Sequence, residues 1–396
     1  MKRDREYGLR WMRELSEHNF KRAFRMDRPA FERLLSVLRV EVCMTRPGPR
    51  KGVSGREFQR YDQATNSSGS PIALRTALAA TLRWLAGGSY LDICGLFGLG
   101  MGGFYSEAGP LWSTMYGLEA ALRPFLQFDV SEEACAEAAA GFAPFSRHLM
   151  NKCVVAVDGI VVRTRAPYVK ELGGSCDRRA YRNRKGCFGL VAIAGCRANC
   201  KFAFWSCRHT GSTHDALAIH GCAGGRVLLG DTIPAAARPA QQLPPGYYGV
   251  GDEAFANCDT LLCPWSGKSL TLEKDAFNFY LSAMRQCIER AFGQMVMRWG
   301  VFHRRLNVRA DKWGLVTMVA AMLHNFCIDM KVGEPPPSHP GDHQAGDTCA
   351  VIPNTQRNDS GRMSGSQRTR RQQITDALKA AGKARPRHGS TRVRAQ

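Results

Sequence analysis

The stretch Lys152–Arg165, KCVVAVDGIVVRTR, decides how the chain is organised. Its run of β-branched apolar residues predicts a buried strand, and one carboxylate, Asp158, interrupts that run. Burying an unpaired charge is costly, so Asp158 needs a cation or strong hydrogen-bond donors beside it. Gly159 has no side chain, which leaves room for a bulky group, such as a cation carrying a phosphate, to approach the backbone. The alternative is a structural Asp158, held by backbone amides or by Arg163 or Arg165.

Composition points to a globular protein with a polyanionic partner. The chain has 396 residues, 44% of them hydrophobic, which is enough for roughly two or three domains. Lys and Arg number 55 against 34 Asp and Glu, a formal charge of +21. This excess favours nucleic acid over a membrane surface as the partner, because no amphipathic basic anchor is present. No apolar run reaches about 18 residues, so we expect no transmembrane helix and no membrane partner.

The cysteine pattern indicates reduced thiols. The first residues, MKRDREYGLRWMREL, are charged and predict no secretory signal, so the 15 scattered cysteines are expected to stay reduced. A structural zinc site is the alternative for the densest group of Cys and His. Its irregular spacing, without a Cys-x-x-Cys pair, favours buried thiols instead. The group comprises Cys196, Cys200, Cys207, His209, His214, His220 and Cys222.

Periodicity and composition divide the chain into five segments. Residues 1–44 form an N-terminal helical segment around the amphipathic FERLLSVLRVEV, and residues 45–71, rich in Gly, Pro, Ser and Arg, form a flexible linker. Residues 72–148 read as a helical, helix-turn-helix-like domain, with a helical packing or dimerisation domain as the alternative. Residues 149–330 hold the β-branched run, and residues 331–396 form a disordered basic tail.

The segment after residue 149 predicts a mixed α/β sheet flanked by helices, because three strands are followed by a helix, a strand and a long helix. The fourth strand, in YYGVGDEAFA, ends in a second carboxylate, Asp252. The long helix, from about residue 275 to 298, carries Glu289 at the border of an apolar stripe that must face the sheet. A simple i,i+4 ion pair with Arg285 is the alternative reading of Glu289. The stripe comprises Leu281, Met284, Ile288, Phe292, Met295 and Trp299.

We therefore expect Asp158, Asp252 and Glu289 to converge at one edge of the sheet. Clustered carboxylates repel one another, and a divalent cation is the usual way to hold them together. Two Mg²⁺ or Mn²⁺ ions about 4 Å apart activate a water and stabilise the leaving oxygen of a phosphodiester. This chemistry suits a strongly basic protein.

Several segments resemble the DDE transposases of the PIF/Harbinger superfamily, which include the Harbinger transposase-derived nucleases of animals. The resemblance covers about residues 150–330 and is carried by VAVDG, YRNRKG, GSTHD, YYGVGDEAF, FNFYLSAMRQCIERAFGQMVMRWGVFHRRL and LHNFCID. It implies an RNase H-like nuclease domain at residues 149–330 with the catalytic triad Asp158, Asp252 and Glu289. The family's His-Asp pair falls on His214 and Asp215, and implies that Asp215 is a further metal ligand.

The function that the resemblance implies is a metal-dependent DNA endonuclease or transposase. It would hydrolyse phosphodiester bonds with Mg²⁺ or Mn²⁺ and use double-stranded DNA at element ends as substrate, with strand transfer as a further step. A Myb-like DNA-binding partner, a homo-oligomer and a nuclear location, with the cytoplasm second, are implied as well. The alternative from another class is a catalytically silent, transposase-derived DNA-binding or scaffold protein.

A basic loop, RRAYRNRKG at residues 178–186, is the candidate nucleic-acid contact. Five cations in nine residues suit phosphate binding, and a solvated turn is the alternative. The family motif Tyr-x-Asn-Arg-Lys-Gly matches this loop, which makes Arg179, Arg182, Arg184 and Lys185 the candidate DNA-binding residues. The basic patches SQRTRR and KARPRHGSTRVR in the tail indicate further DNA binding or nuclear import.

Two positions test the alignment with the family. Arg197 stands where the family usually has an acid, so the role of that acid is absent or supplied elsewhere. Asp231, in LLGDTIP, mimics the Gly-Asp motif of Asp252. A loop of Pro and Ala follows Asp231, which makes it a decoy.

Overall fold

The chain folds as a bundle of short helices followed by one mixed sheet that has helices on both faces. The computed structural model describes residues 5–44, 64–65, 71–172, 177–267, 269–333, 351–353 and 370–386. The described helices are α1 Arg5–Glu14, α2 Glu17–Phe24, α3 Arg28–Met44, α4 Leu74–Leu85, α5 Tyr90–Leu96, α6 Met101–Phe104, α7 Pro110–Ala121, α8 Glu132–Phe142, α9 Asp215–Ala218, α10 Ala223–Leu229, α11 Leu272–Arg298, α12 Trp313–Asp329 and α13 Arg370–Ala380. The described strands are β1 Ala64–Thr65, β2 Pro71–Ile72, β3 Cys153–Arg163, β4 Gly189–Cys196, β5 Phe202–Thr210, β6 Tyr248–Val250, β7 Leu261–Leu262 and β8 Val351–Pro353.

The sheet is built around β3, the strand predicted from the β-branched run. Its order is β5-β4-β3-β6-β7, with β4 antiparallel to β3 and β6 parallel to it. β8 belongs to the same sheet and pairs antiparallel with residues 160–162 of β3. A mixed five-strand sheet with flanking helices is consistent with an RNase H-like DDE fold. The strands β1 and β2 form a separate two-stranded sheet.

Both faces of β3 are buried, which explains why its sequence is a continuous apolar run rather than an alternating one. Ile160 and Val162 belong to a large core that includes α11 and α12. Val157 and Val161 belong to a smaller core with residues of α8 and α10. The apolar stripe of α11 is buried, as its spacing predicted.

The N-terminal helices share the large core with the sheet domain. The side chain of Asp27 accepts a hydrogen bond from the Ala30 amide at 2.9 Å and so caps the start of α3. Arg298 at the end of α11 donates to the Arg25 carbonyl at 2.8 Å. Asn325 of α12 donates to the Phe125 carbonyl at 2.7 Å. These contacts hold the helical region against the sheet domain.

The helix-turn-helix expectation for residues 72–148 stays a prediction. The described residues place α4, α5 and α6 there, but α6 is a single turn of four residues. Most of the predicted linker, residues 45–71, lies outside the described residues. None of the helices in the described ranges is both long and apolar enough to cross a membrane.

The predicted disorder of the tail does not hold for residues 370–386, because α13 packs against the sheet domain. The Arg371 guanidinium lies 3.8 Å from the ring centroid of Trp265, and Trp265 Nε1 donates to Thr375 Oγ1 at 3.0 Å. Leu378 is buried in the large core. The sequence of α13 shows little apolar pattern, so the helix was not predicted. Its order depends on contacts with Trp265, which lies more than a hundred residues away in sequence.

Candidate active site

The register of the sheet places Asp158 and Asp252 side by side. β3 and β6 run parallel, and their last described pair joins Ala156 to Val250. Asp158 and Asp252 each lie two residues beyond that pair, so both reach the carboxyl end of β6 at the same level. Ligands of open α/β sheets bind at such carboxyl ends.

The third acid comes from α11, which packs against β3. Arg285 and Glu289 lie one turn apart on this helix, at the border of its buried stripe. The Arg285 guanidinium reaches all three acids. Its Nη2 lies 3.0 Å from Asp158 Oδ2 and 3.9 Å from Glu289 Oε1, and its Nη1 lies 3.4 Å from Asp252 Oδ1. The structure thus gathers the three predicted carboxylates around one cation.

The contacts that the structural alternatives predicted for Asp158 and Glu289 are formed in this arrangement, with one change of partner. The Gly159 amide donates to Asp158 Oδ1 at 2.8 Å, and the cation beside Asp158 is Arg285 rather than the expected Arg163 or Arg165. Arg165 pairs with Glu171 instead. The i,i+4 pair of Arg285 with Glu289 also forms, as one of three contacts of the same guanidinium.

Exposure rises across the triad, so the site opens on one side. The Asp158 side chain is 13% exposed, that of Asp252 is 26% and that of Glu289 is 61%. Asp252 is also fixed locally, because its Oδ1 accepts a hydrogen bond from the Glu253 amide at 2.7 Å. A substrate would therefore approach from the side of Glu289.

The negative charge of Asp158 is only partly balanced by its neighbours. Burial raises the pKa of its carboxyl to about 6, although the charge of Arg285 and the Gly159 amide lower it. Burial lowers the pKa of the Arg285 guanidinium, but the charges of Asp158, Asp252 and Glu289 outweigh burial and raise it overall. One cation is shared among three acids, so it is strongly held while Asp158 receives only part of its charge.

Asp215 packs against Gly159, the residue after Asp158 in β3. Its side chain is buried at the start of α9, and a Cβ at position 159 would overlap the Asp215 carboxylate. Gly159 therefore admits a fourth carboxylate to the strand, where the sequence suggested room for a phosphate-bearing group. The resemblance had pointed to Asp215, and the structure places its carboxylate against Gly159, the residue that follows Asp158.

The basic loop borders the same site. Arg179, Arg182, Arg184 and Lys185 are exposed, and Arg184 Nη2 lies 2.9 Å from Nε2 of His214, the residue before α9. The Ser212 amide donates to the Ala180 carbonyl at 3.0 Å, which ties the loop to the end of β5. Tyr181, the aromatic residue of this loop, packs against Trp313 with ring centroids 6.0 Å apart. The loop thus offers its cations beside Asp215.

Arg197 and Asp231 have structural surroundings. Arg197 donates to the Val154 carbonyl at 2.8 Å and to the Asp129 carbonyl at 2.7 Å, and so holds the segment before α8 against β3. Asp231 is 95% exposed and pairs with Arg238 at 2.7 Å. Neither contact involves the triad.

The donor set of the triad suits Mg²⁺ or Mn²⁺, because carboxylate oxygens are the ligands that these ions prefer. However, within the described ranges no three His, Cys, Asp or Glu side chains stand close enough together to hold a metal ion as arranged. The position that bridges the triad is taken by Arg285. The carboxylate chemistry suits such an ion, whose binding would require that guanidinium to move. The described cysteines are free thiols, and the suspected zinc group does not assemble.

The sequence suggested Arg285 only as a helix neighbour of Glu289. Its contacts with Asp158 and Asp252 were missed, because they join α11 to two strands far away in sequence. A signal was present in the spacing. An arginine four residues before an acid, on the border of a buried stripe, can carry its long side chain along the helix to the sheet edge.

Comparison with known families identifies the class of this domain. Residues 157–325 match the family described as DDE superfamily endonuclease, a range that contains the three acids, Arg285 and the basic loop. This part of the chain is therefore similar to DDE superfamily endonuclease domains. The chain has no match among curated proteins or among solved structures.

Proposed function

We propose that this protein is a metal-dependent DNA endonuclease or transposase of the PIF/Harbinger type. It would hydrolyse phosphodiester bonds, with strand transfer as a further step, through Asp158, Asp252 and Glu289. The observation that carries the proposal is the convergence of three carboxylates from β3, the end of β6 and α11 on one guanidinium. The match of the surrounding domain to DDE endonucleases supports it.

In this proposal the acids hold the cofactor and the basic loop holds the substrate. Asp158, Asp252, Glu289 and Asp215 supply the carboxylate oxygens. When bound, Mg²⁺ or Mn²⁺ would supply an activated water and neutralise charge on the leaving oxygen. The backbone donors at Gly159 and Glu253 keep the two strand-borne aspartates in fixed rotamers, which reduces reorganisation during the reaction.

DNA binding in this proposal comes from phosphate contacts of Arg179, Arg182, Arg184 and Lys185. All four are exposed, and Arg184 contacts His214, the residue before Asp215, so a DNA backbone bound by the loop would run toward β3 and its Asp158. The formal charge of +21 favours a long polyanion as substrate. Double-stranded DNA at element ends, a Myb-like partner, a homo-oligomer and a nuclear location, with the cytoplasm second, complete the proposal.

One observation favours a second candidate function. Arg285 supplies the triad with a cation of its own, and a protein whose acids stay permanently paired with it would bind DNA without cleaving it. This second candidate is the catalytically silent DNA-binding or scaffold protein. It predicts normal DNA affinity and no cleavage in any metal.

A nicking assay separates the two candidates. The full chain is incubated with Mg²⁺ or Mn²⁺ and duplex DNA that carries the genomic sequence flanking its gene. We expect nicking that requires the metal, is lost in Asp252→Asn and is retained in Asp231→Asn, the matched change at an exposed aspartate. Equal activity of Asp252→Asn and the parent would remove Asp252 from the site. Absence of nicking together with retained DNA binding would favour the silent protein.

A further inference from the structure

Arg285 differs from a surface ion pair because it is largely buried and contacts all three acids of the triad. Its side chain is 15% exposed, and its two terminal nitrogens reach acids on three different segments. Its buried Nε has no hydrogen-bond partner among the described residues. The guanidinium is therefore held mainly by the carboxylates themselves.

The planar fork of an arginine explains how one residue serves two strands at once. Nη1 and Nη2 point in fixed directions, so they deliver charge to Asp252 and Asp158 together. Without a cation, these carboxylates would repel each other in a partly buried edge. Arg285 thus occupies carboxylate oxygens that a divalent ion would also need.

We propose that Arg285 is the resident counter-cation of the triad, which keeps Asp158 and Asp252 in place without metal and leaves that position when Mg²⁺ or Mn²⁺ binds. The inference deepens the proposed function and rests on it for the identity of the ion. Arg285 is a positioning residue under this view. It sets how tightly the site binds metal.

Two physical effects make Arg285 lower the metal affinity. Metal binding must break the contacts of the guanidinium with Asp158 and Asp252, and it brings a divalent cation close to a monovalent one. A path for the displaced side chain exists on the open side of the site. Glu289, which is 61% exposed, lies there, and a long arginine stem can carry its head group toward solvent.

The test is a Mn²⁺ titration of the full chain without DNA, followed by the loss of free-ion paramagnetic signal or by calorimetry. Arg285→Gln should bind Mn²⁺ at least about tenfold more tightly than the parent. Arg290→Gln is the matched control, because it removes the same charge from the next turn of α11, where the guanidinium faces the Phe145 ring. The control should bind Mn²⁺ like the parent.

A second measurement uses the metal-free protein. Arg285→Gln should melt at a lower temperature than the parent without metal, because Asp158 and Asp252 lose their shared partner. Added Mn²⁺ should raise its melting temperature by more than that of the parent. If Arg285→Gln fails to fold, Arg285→Lys decides, since an ammonium cannot bridge two carboxylates as a fork does. It should still bind Mn²⁺ more tightly than the parent.

Equal or weaker Mn²⁺ binding in the variant would overturn the inference, because Arg285 would then be indifferent to metal or would help to organise its ligands. A gain that persists in the double variant Arg285→Gln/Asp252→Asn would also overturn it, since the metal would be bound elsewhere. The outcome is independent of cleavage. A chain that never cleaves DNA can still show the gain, and an active nuclease can lack it.

Discussion

Two buried cations in this protein are surrounded by acids, and they differ in how completely the charges are matched. Lys312, at the start of α12, is 4% exposed and donates to Glu107 Oε2 and Tyr116 Oη, each at 2.7 Å. Its ammonium also lies 5.6 Å from the ring centroid of Trp112. Arg285 instead divides its charge among Asp158, Asp252 and Glu289. Lys312 also lies 3.5 Å from Asp311, so it too faces more than one acid, but both of its acids are about half exposed, whereas Asp158 at the triad is only 13% exposed.

The pKa values follow this difference. Burial lowers the pKa of Lys312, but the hydrogen bonds with Glu107 and Tyr116 outweigh burial and raise it overall. The acids of that cluster are about half exposed, so water completes their solvation. At the triad the most buried acid, Asp158, keeps a pKa of about 6. An excess of buried negative charge is costly to stability and is what a divalent cation needs, so the comparison separates a structural cluster from a candidate catalytic one.

The largest expected effect comes from replacing one acid by its amide, and the replacement is compared between the two clusters. Asp158→Asn should lower the metal-dependent cleavage rate by more than about 100-fold, because a direct metal ligand matters more than the outer partners that support one. Glu107→Gln should leave the rate within about twofold, since Lys312 touches no part of the triad. Single-turnover cleavage at saturating Mn²⁺ measures both. A comparable loss in Glu107→Gln would mean that the two clusters are coupled.

Stability should show the opposite ranking. Lys312→Ala should lower the free energy of unfolding by about 2 kcal/mol, because it removes charge-assisted hydrogen bonds between the helical region and α12, although their acid partner is half exposed. The loss should be equal with and without Mn²⁺. Chemical denaturation of the parent and of Lys312→Ala, each with and without Mn²⁺, measures the loss under both conditions. If Mn²⁺ largely restored the lost stability, Lys312 would belong to the metal site, and the two clusters would not differ in function.

Residue types and spacing predicted the parts of the fold that are local or periodic. The β-branched run around Asp158 is the central strand, and the stripe around Glu289 is the sheet-facing side of α11. The acids could be named because a carboxylate inside such a pattern conflicts with burial. The spacing of Arg285 and Glu289 indicated that Arg285 could reach the sheet edge, but not that it would meet both Asp158 and Asp252, because that depends on the register of β3 with β6. The docking of α13 on Trp265 is likewise a long-range contact without a local pattern.

The pH dependence of stability should come in part from a buried histidine, His324, which lies outside both clusters. Burial lowers the pKa of His324 to about 4, while its Nε2 lies 2.9 Å from the Cys200 carbonyl oxygen. His324 is thus neutral in the fold, and the unfolded chain takes up a proton near pH 6.5. The stability that the neutral ring provides is complete above that value and is lost as pH falls toward about 4.

We expect His324 to lower the free energy of unfolding by about 2 kcal/mol between pH 7 and pH 5. In His324→Gln that part of the pH dependence should disappear, because glutamine does not titrate. His220→Gln, at an exposed histidine, is the control and should retain the slope of the parent. Denaturation midpoints at several pH values measure it. An unchanged slope in His324→Gln would assign the acid sensitivity to other groups, the triad among them.

The smallest effect concerns cations that, unlike Lys312 and Arg285, are exposed. Arg184 contacts His214 beside Asp215 and is free to reach a phosphate, so Arg184→Gln should weaken DNA binding by only a few-fold. The informative quantity is the salt dependence. Removing one phosphate contact should lower the slope of log affinity against log salt by about 1, since one fewer counterion is released.

Lys201, which pairs with Asp329 at 2.6 Å on the turn between β4 and β5, supplies the control Lys201→Gln. The slope should stay unchanged there, and binding is measured without metal so that cleavage does not intervene. Equal slopes for both variants would mean that the DNA does not pass over the basic loop, and the triad would then need another surface to receive its substrate.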